Sequence, residues 1–265
     1  MKIAAVQMSS RADLKLNILK AEQLIKQAVD SGAECVLLPE YFYSMAAKDS
    51  DRLALAEAFL DGPIQIHMAA LAKEYAIWLI AGTLPIKSEQ PDKFFNSQLV
   101  YSPNGECVCR YDKVHLFGFD NGNEAYCESD TMAAGSEIKT FQLAEHTVRP
   151  SICYDLRFPE FYRHDAGFDL ITAPAAFTYT TGKAHWKTLL TCRAIENQCY
   201  VIAAAQVGEH ENGSRTYGHS MIINPWGEVL DCLPEGEGFV CAELEMDYLN
   251  EKRQQLPALK NRVFF

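Results

Sequence analysis

Val36-Leu37-Leu38-Pro39-Glu40 is a short apolar run broken by a proline and closed by a carboxylate. Upstream, residues 2–8 make another strand-like run. Between the two, Leu14, Ile18, Ala21, Ile25 and Ala28 recur at helical spacing after Asp13, an expected N-cap, and Gly32 is positioned to end that helix. Strand, helix and strand in this order form the unit of a parallel sheet covered by helices. The pattern returns at Leu170-Ile171-Thr172-Ala173-Pro174-Ala175, again apolar and again ended by proline. Ligands of open α/β sheets sit beyond the carboxyl ends of strands, so both prolines mark expected site walls. Only the first copy carries a carboxylate.

Working outward, helices are predicted over 49–60 and 64–75, with a strand at 77–81. Strands at 96–101 and 107–111 flank Ser102-Pro103-Asn104-Gly105, a hairpin turn by composition. The second half is predicted as a strand ending at Cys153, a helix from Leu156, a strand at 169–172 and a helix at 183–197. Strands at 200–206 and 220–223 follow, the latter entering the turn Asn224-Pro225-Trp226-Gly227. No Gly/Ser-rich linker divides the chain. The expectation is an α/β protein with two similar halves in one domain spanning residues 1–265.

The 265 residues are 48% hydrophobic and 22% charged, which excludes disordered and fibrous classes. A net charge of −11 repels phosphate backbones and argues against a nucleic-acid partner. No apolar run reaches the length of a membrane span, and no export signal is read at the start, so a soluble cytoplasmic protein is expected. Nine scattered cysteines, an odd number, point to reduced thiols. Cys107 and Cys109 fall on one face of a strand by its period of two, and no second ligand pair follows to make a zinc site.

Three segments concentrate reactive side chains at strand ends: Leu38-Pro39-Glu40-Tyr41, Arg110-Tyr111-Asp112-Lys113-Val114-His115, and Ser151-Ile152-Cys153-Tyr154-Asp155-Leu156-Arg157. A carboxylate, an amine and a thiol are what covalent acyl transfer requires. The thiol needs a base, and the developing oxyanion needs positive charge and N–H donors. Cys153 lies where strand gives way to helix, so helix-start N–H groups are expected to lower its pKa. Glu40 is the candidate proton carrier. Singly, each has a plainer role: Glu40 as a cap, Lys113 as a solvated charge, Cys153 as a small hydrophobe.

Taken together, Leu37-Leu38-Pro39-Glu40, Tyr111-Asp112-Lys113-Val114-His115-Leu116 and the run from Ile152-Cys153-Tyr154 to Phe158-Pro159-Glu160 resemble the three motifs of the nitrilase-like carbon–nitrogen hydrolase superfamily. The resemblance implies a four-layer αββα sandwich and a Glu40, Lys113, Cys153 catalytic set. A second family glutamate maps onto Glu128, with Glu124 as rival. Ala184-His185-Trp186-Lys187, the run from Arg193 to Val201 and Tyr217-Gly218-His219-Ser220-Met221 are similar to the branch of deaminated glutathione amidase and omega-amidase. That likeness implies an amidase acting on the amide of a 2-oxo dicarboxylic acid, without metal or cofactor. Deaminated glutathione is the first expected substrate and 2-oxoglutaramate the alternative. A nitrilase and a non-catalytic scaffold member are the other readings. Asp112 departs from the basic residue usual near the lysine, so it is expected to pair with Lys113.

For substrate binding, the expected residues are Tyr154, through its backbone N–H, then Arg157, Phe177 and Thr181. Arg157 lies one helical turn past the nucleophile, where a guanidinium suits a substrate carboxylate; its plain alternative is a salt bridge to Glu160 or Asp155. His115 and His185 are expected to be structural hydrogen-bonders. Gly236-Glu237-Gly238 lacks the rest of a dinucleotide fingerprint and reads as a turn. The resemblance also implies a homodimer or larger assembly through helices after the nucleophile strand and the C-terminal segment, where Leu256, Leu259, Val263, Phe264 and Phe265 are apolar.

Overall fold

Strand β1 (Lys2–Gln7) runs parallel to β2 (Cys35–Leu37), with helix α1 (Leu14–Asp30) between them in the chain. The Asp13 carboxylate accepts the Leu16 N–H at 3.1 Å, capping α1 as its position predicts. The computed structural model describes residues 1–46, 48–122, 125–165 and 167–263. After α2 (Asp49–Ala54) and α3 (Pro63–Tyr75), β3 (Trp78–Ile80) continues the parallel set. Strands β4 (Leu84–Lys87), β5 (Phe94–Tyr101) and β6 (Cys107–Asp112) add antiparallel pairs. The Gly105 N–H closes the β5–β6 turn on the Ser102 carbonyl at 2.8 Å.

A hairpin of β7 (Gly118–Asp120) and β8 (Ala125–Cys127) precedes β9 (Phe141–Leu143) and β10 (His146–Pro150). A 3₁₀ turn at Cys153–Arg157 leads to α4 (Pro159–Arg163), β11 (Leu170–Thr172), α5 (Tyr179–Asn197) and β12 (Tyr200–Ala203). A hairpin of β13 (Val207–Glu209) and β14 (Arg215–Tyr217) comes next. Strands β15 (Ser220–Ile223), β16 (Val229–Leu233) and β17 (Gly238–Glu243), then α6 (Met246–Gln255), complete the order.

One sheet has the order β17-β1-β2-β3-β5-β4 with β6 on β5, and the other β16-β15-β12-β11-β10-β9. Parallel trios, β1-β2-β3 and β10-β11-β12, form the centre of each. Strand alternation explains the layering. Ala4, Val6, Val36 and Leu38 face α1 and α3, while Ile3, Ala5, Cys35 and Leu37 face the other sheet. In the second sheet Leu170 and Ile202 meet that inter-sheet core, and Ile171, Val201 and Ala203 face Trp186 and Leu190 of α5. The result is the expected αββα sandwich, with each central strand buried on both faces.

Several boundaries differ from expectation. The helix predicted over 49–60 stops at Ala54, because Glu57 backbone bonds with Pro85 and Lys87 beside β4. The strand predicted to end at Cys153 ends at Pro150, and the helix predicted from Leu156 is a 3₁₀ turn cut off at Pro159, which begins α4. Cys107 and Cys109 do not share a face. The β5–β6 register shifts between Val100 and Tyr101, so Cys107 packs toward the α1 side and Cys109 into the inter-sheet core. All nine cysteines are free.

Candidate active site

The proline-ended strands deliver their loops to one place. Glu40 follows β2, Lys113 follows β6, Cys153 follows β10, and the 173–178 segment follows β11. The two Pro-ended echoes meet directly, since the Ala176 N–H donates to Glu40 Oε2 at 2.8 Å. Lys113 Nζ donates to Glu40 Oε1 at 2.9 Å and to the Glu128 carboxylate at 2.8 Å. Asn96 Nδ2 also donates to Glu40 Oε1 at 2.9 Å. Glu128, which opens a 3₁₀ turn, accepts the Tyr41 hydroxyl at 2.8 Å and the Phe117 N–H at 2.7 Å. Glu124 lies outside the described residues.

Cys153 sits with φ +46°, a left-handed conformation that costs a non-glycine residue energy and recurs at functional turns. Its N–H donates to the Pro174 carbonyl at 3.0 Å, and the Glu40 charge acts on its thiol. Among the described residues the Tyr154 N–H has no backbone acceptor, and it directly follows Cys153 in the chain.

Burial sets the protonation states. Lys113 is 0% exposed and Glu40 1%. Burial opposes the ammonium, but Glu128 and Glu40 outweigh it and hold the Lys113 pKa above the usual lysine value. Burial lifts Glu40 above the usual carboxylate value against the pull of Lys113. The Cys153 thiol lies well above its ordinary value, pushed first by burial and next by the Glu40 charge. This corrects the expectation of a lowered thiol pKa. With two carboxylates already facing one ammonium, a thiolate at rest would add a second uncompensated charge to a buried site. Burial and the Glu40 charge thus favour the neutral thiol at rest.

Asp155 has a part that the sequence reading missed. Its buried Oδ2 accepts the Tyr111 hydroxyl at 2.7 Å and the Ile152 N–H at 2.9 Å. Its Oδ1 accepts the His115 N–H at 3.1 Å and lies 2.8 Å from His115 Nδ1. One carboxylate thus ties the lysine segment to the Cys153 turn. Arg193 adds a second tether, with Nε and Nη2 donating to the Leu156 carbonyl at 3.1 and 2.8 Å. The signals were present, an acidic residue two past the cysteine and an arginine mid-helix, but spacing does not show what they reach. Asp112 is not paired with Lys113; strand alternation points it to Arg110 Nε at 2.8 Å and the Ser97 hydroxyl.

A cleft opens over the cysteine. Tyr154, Arg157, Phe177 and Thr181 all line it, with Glu40, Glu128 and Cys153 at its base. Arg157 pairs with neither Glu160 nor Asp155; its Nη1 lies 3.2 Å from His185 Nδ1, and its guanidinium is 5.3 Å from the Phe177 ring centroid. Thr181 also serves the fold, because its N–H donates to the Thr178 hydroxyl that caps α5. Phe177 packs on Trp186 with ring centroids 4.8 Å apart. His115 is the structural hydrogen-bonder expected, stacked on Phe158 at 3.7 Å. Among the described residues no group of three or more His, Cys, Asp or Glu side chains is arranged to hold a metal ion.

The profile of the carbon-nitrogen hydrolase family matches residues 2–254. The chain belongs to that family. A deaminated glutathione amidase of Synechocystis sp. is 42% identical to this carbon-nitrogen hydrolase, over 98% of this chain and 97% of its own length. The human protein of the same name is 35% identical over 98% and 81%. Among solved structures, the C. elegans NitFhit protein matches with a TM-score of 0.91 at 36% identity, covering 99% of this chain and 65% of that one. Saccharomyces cerevisiae Nit3, described as a member of branch 10 of the nitrilase superfamily, matches at 0.89 with 30% identity, covering 100% and 97%. The protein is a hydrolase of carbon–nitrogen bonds. No helix among its described residues is long and apolar enough to cross a membrane.

Proposed function

We propose that this hydrolase is a cysteine-dependent amidase that converts deaminated glutathione to 2-oxoglutarate and cysteinylglycine. The observation that carries the chemistry is the Lys113 ammonium held between Glu40 and Glu128 beside the Cys153 thiol. The names and full-length identity of the relatives support the substrate. Nitrile hydrolysis and a non-catalytic role draw no support from them.

Glu40 takes the thiol proton as Cys153 Sγ attacks the amide carbon. The carbonyl oxygen becomes an oxyanion facing Lys113 Nζ and the Tyr154 N–H. Glu40 then passes the proton to the departing amine, the C–N bond breaks, and a 2-oxoglutaryl thioester remains on Cys153. Water enters, gives its proton to Glu40 and attacks the thioester carbon. The thiol leaves with that proton, and the product acid departs. Glu128 positions Lys113 throughout, and Arg157 clamps the carboxylate on the acyl side. Phe177 and Thr181 shape the wall between them.

The test is kcat/KM for deaminated glutathione against 2-oxoglutaramate, read as 2-oxoglutarate released. Preference for the dipeptide amide is expected. A tenfold preference for 2-oxoglutaramate, only about 1.4 kcal/mol of discrimination, would transfer the assignment to an omega-amidase. We further take residues 1–265 as one domain, because the inter-sheet core draws on both halves. Nine free thiols fit a cytoplasmic setting. A homodimer is the proposed assembly, supported by half-exposed Ile195, Trp226 and Leu256. Val263 is exposed and Leu259 partly buried, while Phe264 and Phe265 lie outside the described residues. Light scattering at micromolar protein should give about twice the mass of one chain, and a single-chain mass refutes the assembly.

A further inference from the structure

The cleft holds more positive charge than the bond-breaking steps use. The chain carries a net charge of −11, yet the guanidinium groups of Arg52, Arg157 and Arg215 all line the cleft over Cys153. Lys113 offsets one of the two carboxylates, Glu40 and Glu128, and the three arginines outweigh the other. Among the described residues neither Arg157 nor Arg215 has a carboxylate partner. A cationic cleft in an acidic protein, with two guanidiniums unanswered, fits a ligand that brings two separate anionic groups.

Arg215 is exposed at the start of β14, its guanidinium 3.7 Å from the ring centroid of Tyr179 at the head of α5. Stacking one face on an aromatic ring leaves the N–H edge of the fork free to bind in plane. The hairpin beneath it is anchored. Thr216 Oγ1 lies 2.7 Å from His210 Nε2, and His210 Nδ1 lies 3.0 Å from the Ser10 carbonyl. The Tyr217 N–H donates to the Phe177 carbonyl at 3.0 Å. At the hairpin tip, Asn212 Nδ2 donates to the Ala46 carbonyl at 3.1 Å, while its Oδ1 accepts the Ser214 N–H at 3.0 Å. A guanidinium on such a support gives up little freedom when it captures a ligand.

We infer that Arg215 determines specificity by binding a carboxylate on the leaving amine, opposite the acyl-side carboxylate held by Arg157. The inference rests on the proposed amidase reading and deepens it. In deaminated glutathione the leaving group is a dipeptide whose terminal carboxylate lies two residues, roughly 7 Å extended, from the scissile nitrogen. Ammonia leaving from a simple amide offers Arg215 nothing. The cleft is thereby built for an amide that is anionic at both ends.

The test compares 2-oxoglutaryl-cysteinylglycine with 2-oxoglutaryl-cysteinylglycinamide, substrates that differ only in the terminal carboxylate. Wild type should prefer the free carboxylate by about tenfold or more in kcat/KM, mostly through KM. Arg215→Gln should erase that preference, and Arg215→Lys should keep part of it. Wild-type turnover indifferent to the terminal carboxylate would overturn the assignment, as would an Arg215→Gln loss equal on both substrates. Failure of wild type to release 2-oxoglutarate from either would overturn the amidase reading, and this assignment with it.

Discussion

Replacing Lys113 with methionine keeps most of the side-chain stem and removes the charge. Glu40 and Glu128, which the ammonium approaches at 2.9 and 2.8 Å, would then face each other without compensation. Removing one partner of a buried ion pair costs roughly 3–5 kcal/mol unless a remaining carboxylate takes up a proton. With that relief the expected loss at pH 7 is about 3 kcal/mol, or roughly 6–12 °C in Tm for a domain of this size. The loss should depend on pH. Glu40 already has a raised native pKa, so ionising it costs stability as the pH climbs past about 4.3. In the wild type Lys113 offsets part of that cost; in the variant only the neutral Asn96 and Ala176 N–H donors remain. The melting gap between the two proteins is therefore smallest near pH 4–5 and widens toward neutrality. Activity should fall by at least about 10²–10³ in kcat from the lost oxyanion donor. It falls further because Glu40, held protonated, no longer accepts the thiol proton. Steady-state kinetics and melting curves from about pH 4.5 to 8 read both effects. A Lys113→Met protein with kcat within tenfold of wild type, or a melting gap that does not change with pH, refutes the reasoning.

Cys153→Ala should leave no measurable turnover and a Tm within about 2 °C of wild type, since only one sulfur is removed; mass spectrometry of wild type during turnover should show the acyl group on Cys153, and substantial activity in the variant contradicts the mechanism. The acid limb of kcat/KM should have its midpoint above the ordinary glutamate value of about 4.3, because burial raises Glu40, and Glu40→Gln should lose both that limb and about 10² or more in rate. A midpoint at or below 4.3 speaks against Glu40 as the proton carrier. Asp155→Asn weakens contacts with Tyr111, Ile152 and His115 together, so kcat should drop about tenfold or more and stability by about 2 kcal/mol. An unchanged kcat together with an unchanged melt would show that this carboxylate does not hold the two segments in register.

The sequence by itself determined the class of fold and pointed to the residues that meet at the candidate site. Short apolar runs at residues 2–8 and 35–38, helical spacing from Leu14 to Ala28, and the Asp13 cap are local signals written in neighbouring residues. Proline after each apolar run likewise marked where β2 and β11 would end and a site could open. Tertiary structure decided the rest. Glu40 and Lys113 stand 73 positions apart, and no spacing rule reports that their side chains touch. Asp155 reads as an ordinary acid near Cys153 until the fold brings Tyr111 and His115 to it. The register shift in β5–β6 put Cys107 and Cys109 on opposite sides, against their period of two. The thiol pKa moved upward rather than down because burial beside a carboxylate outweighs a few N–H dipoles. Arg157 and Arg215 likewise share one cleft only in the folded chain. Periodicity and capping act over a few residues along the chain and survive in the bare sequence, whereas dehydration, charge pairing and register depend on neighbours that only packing supplies.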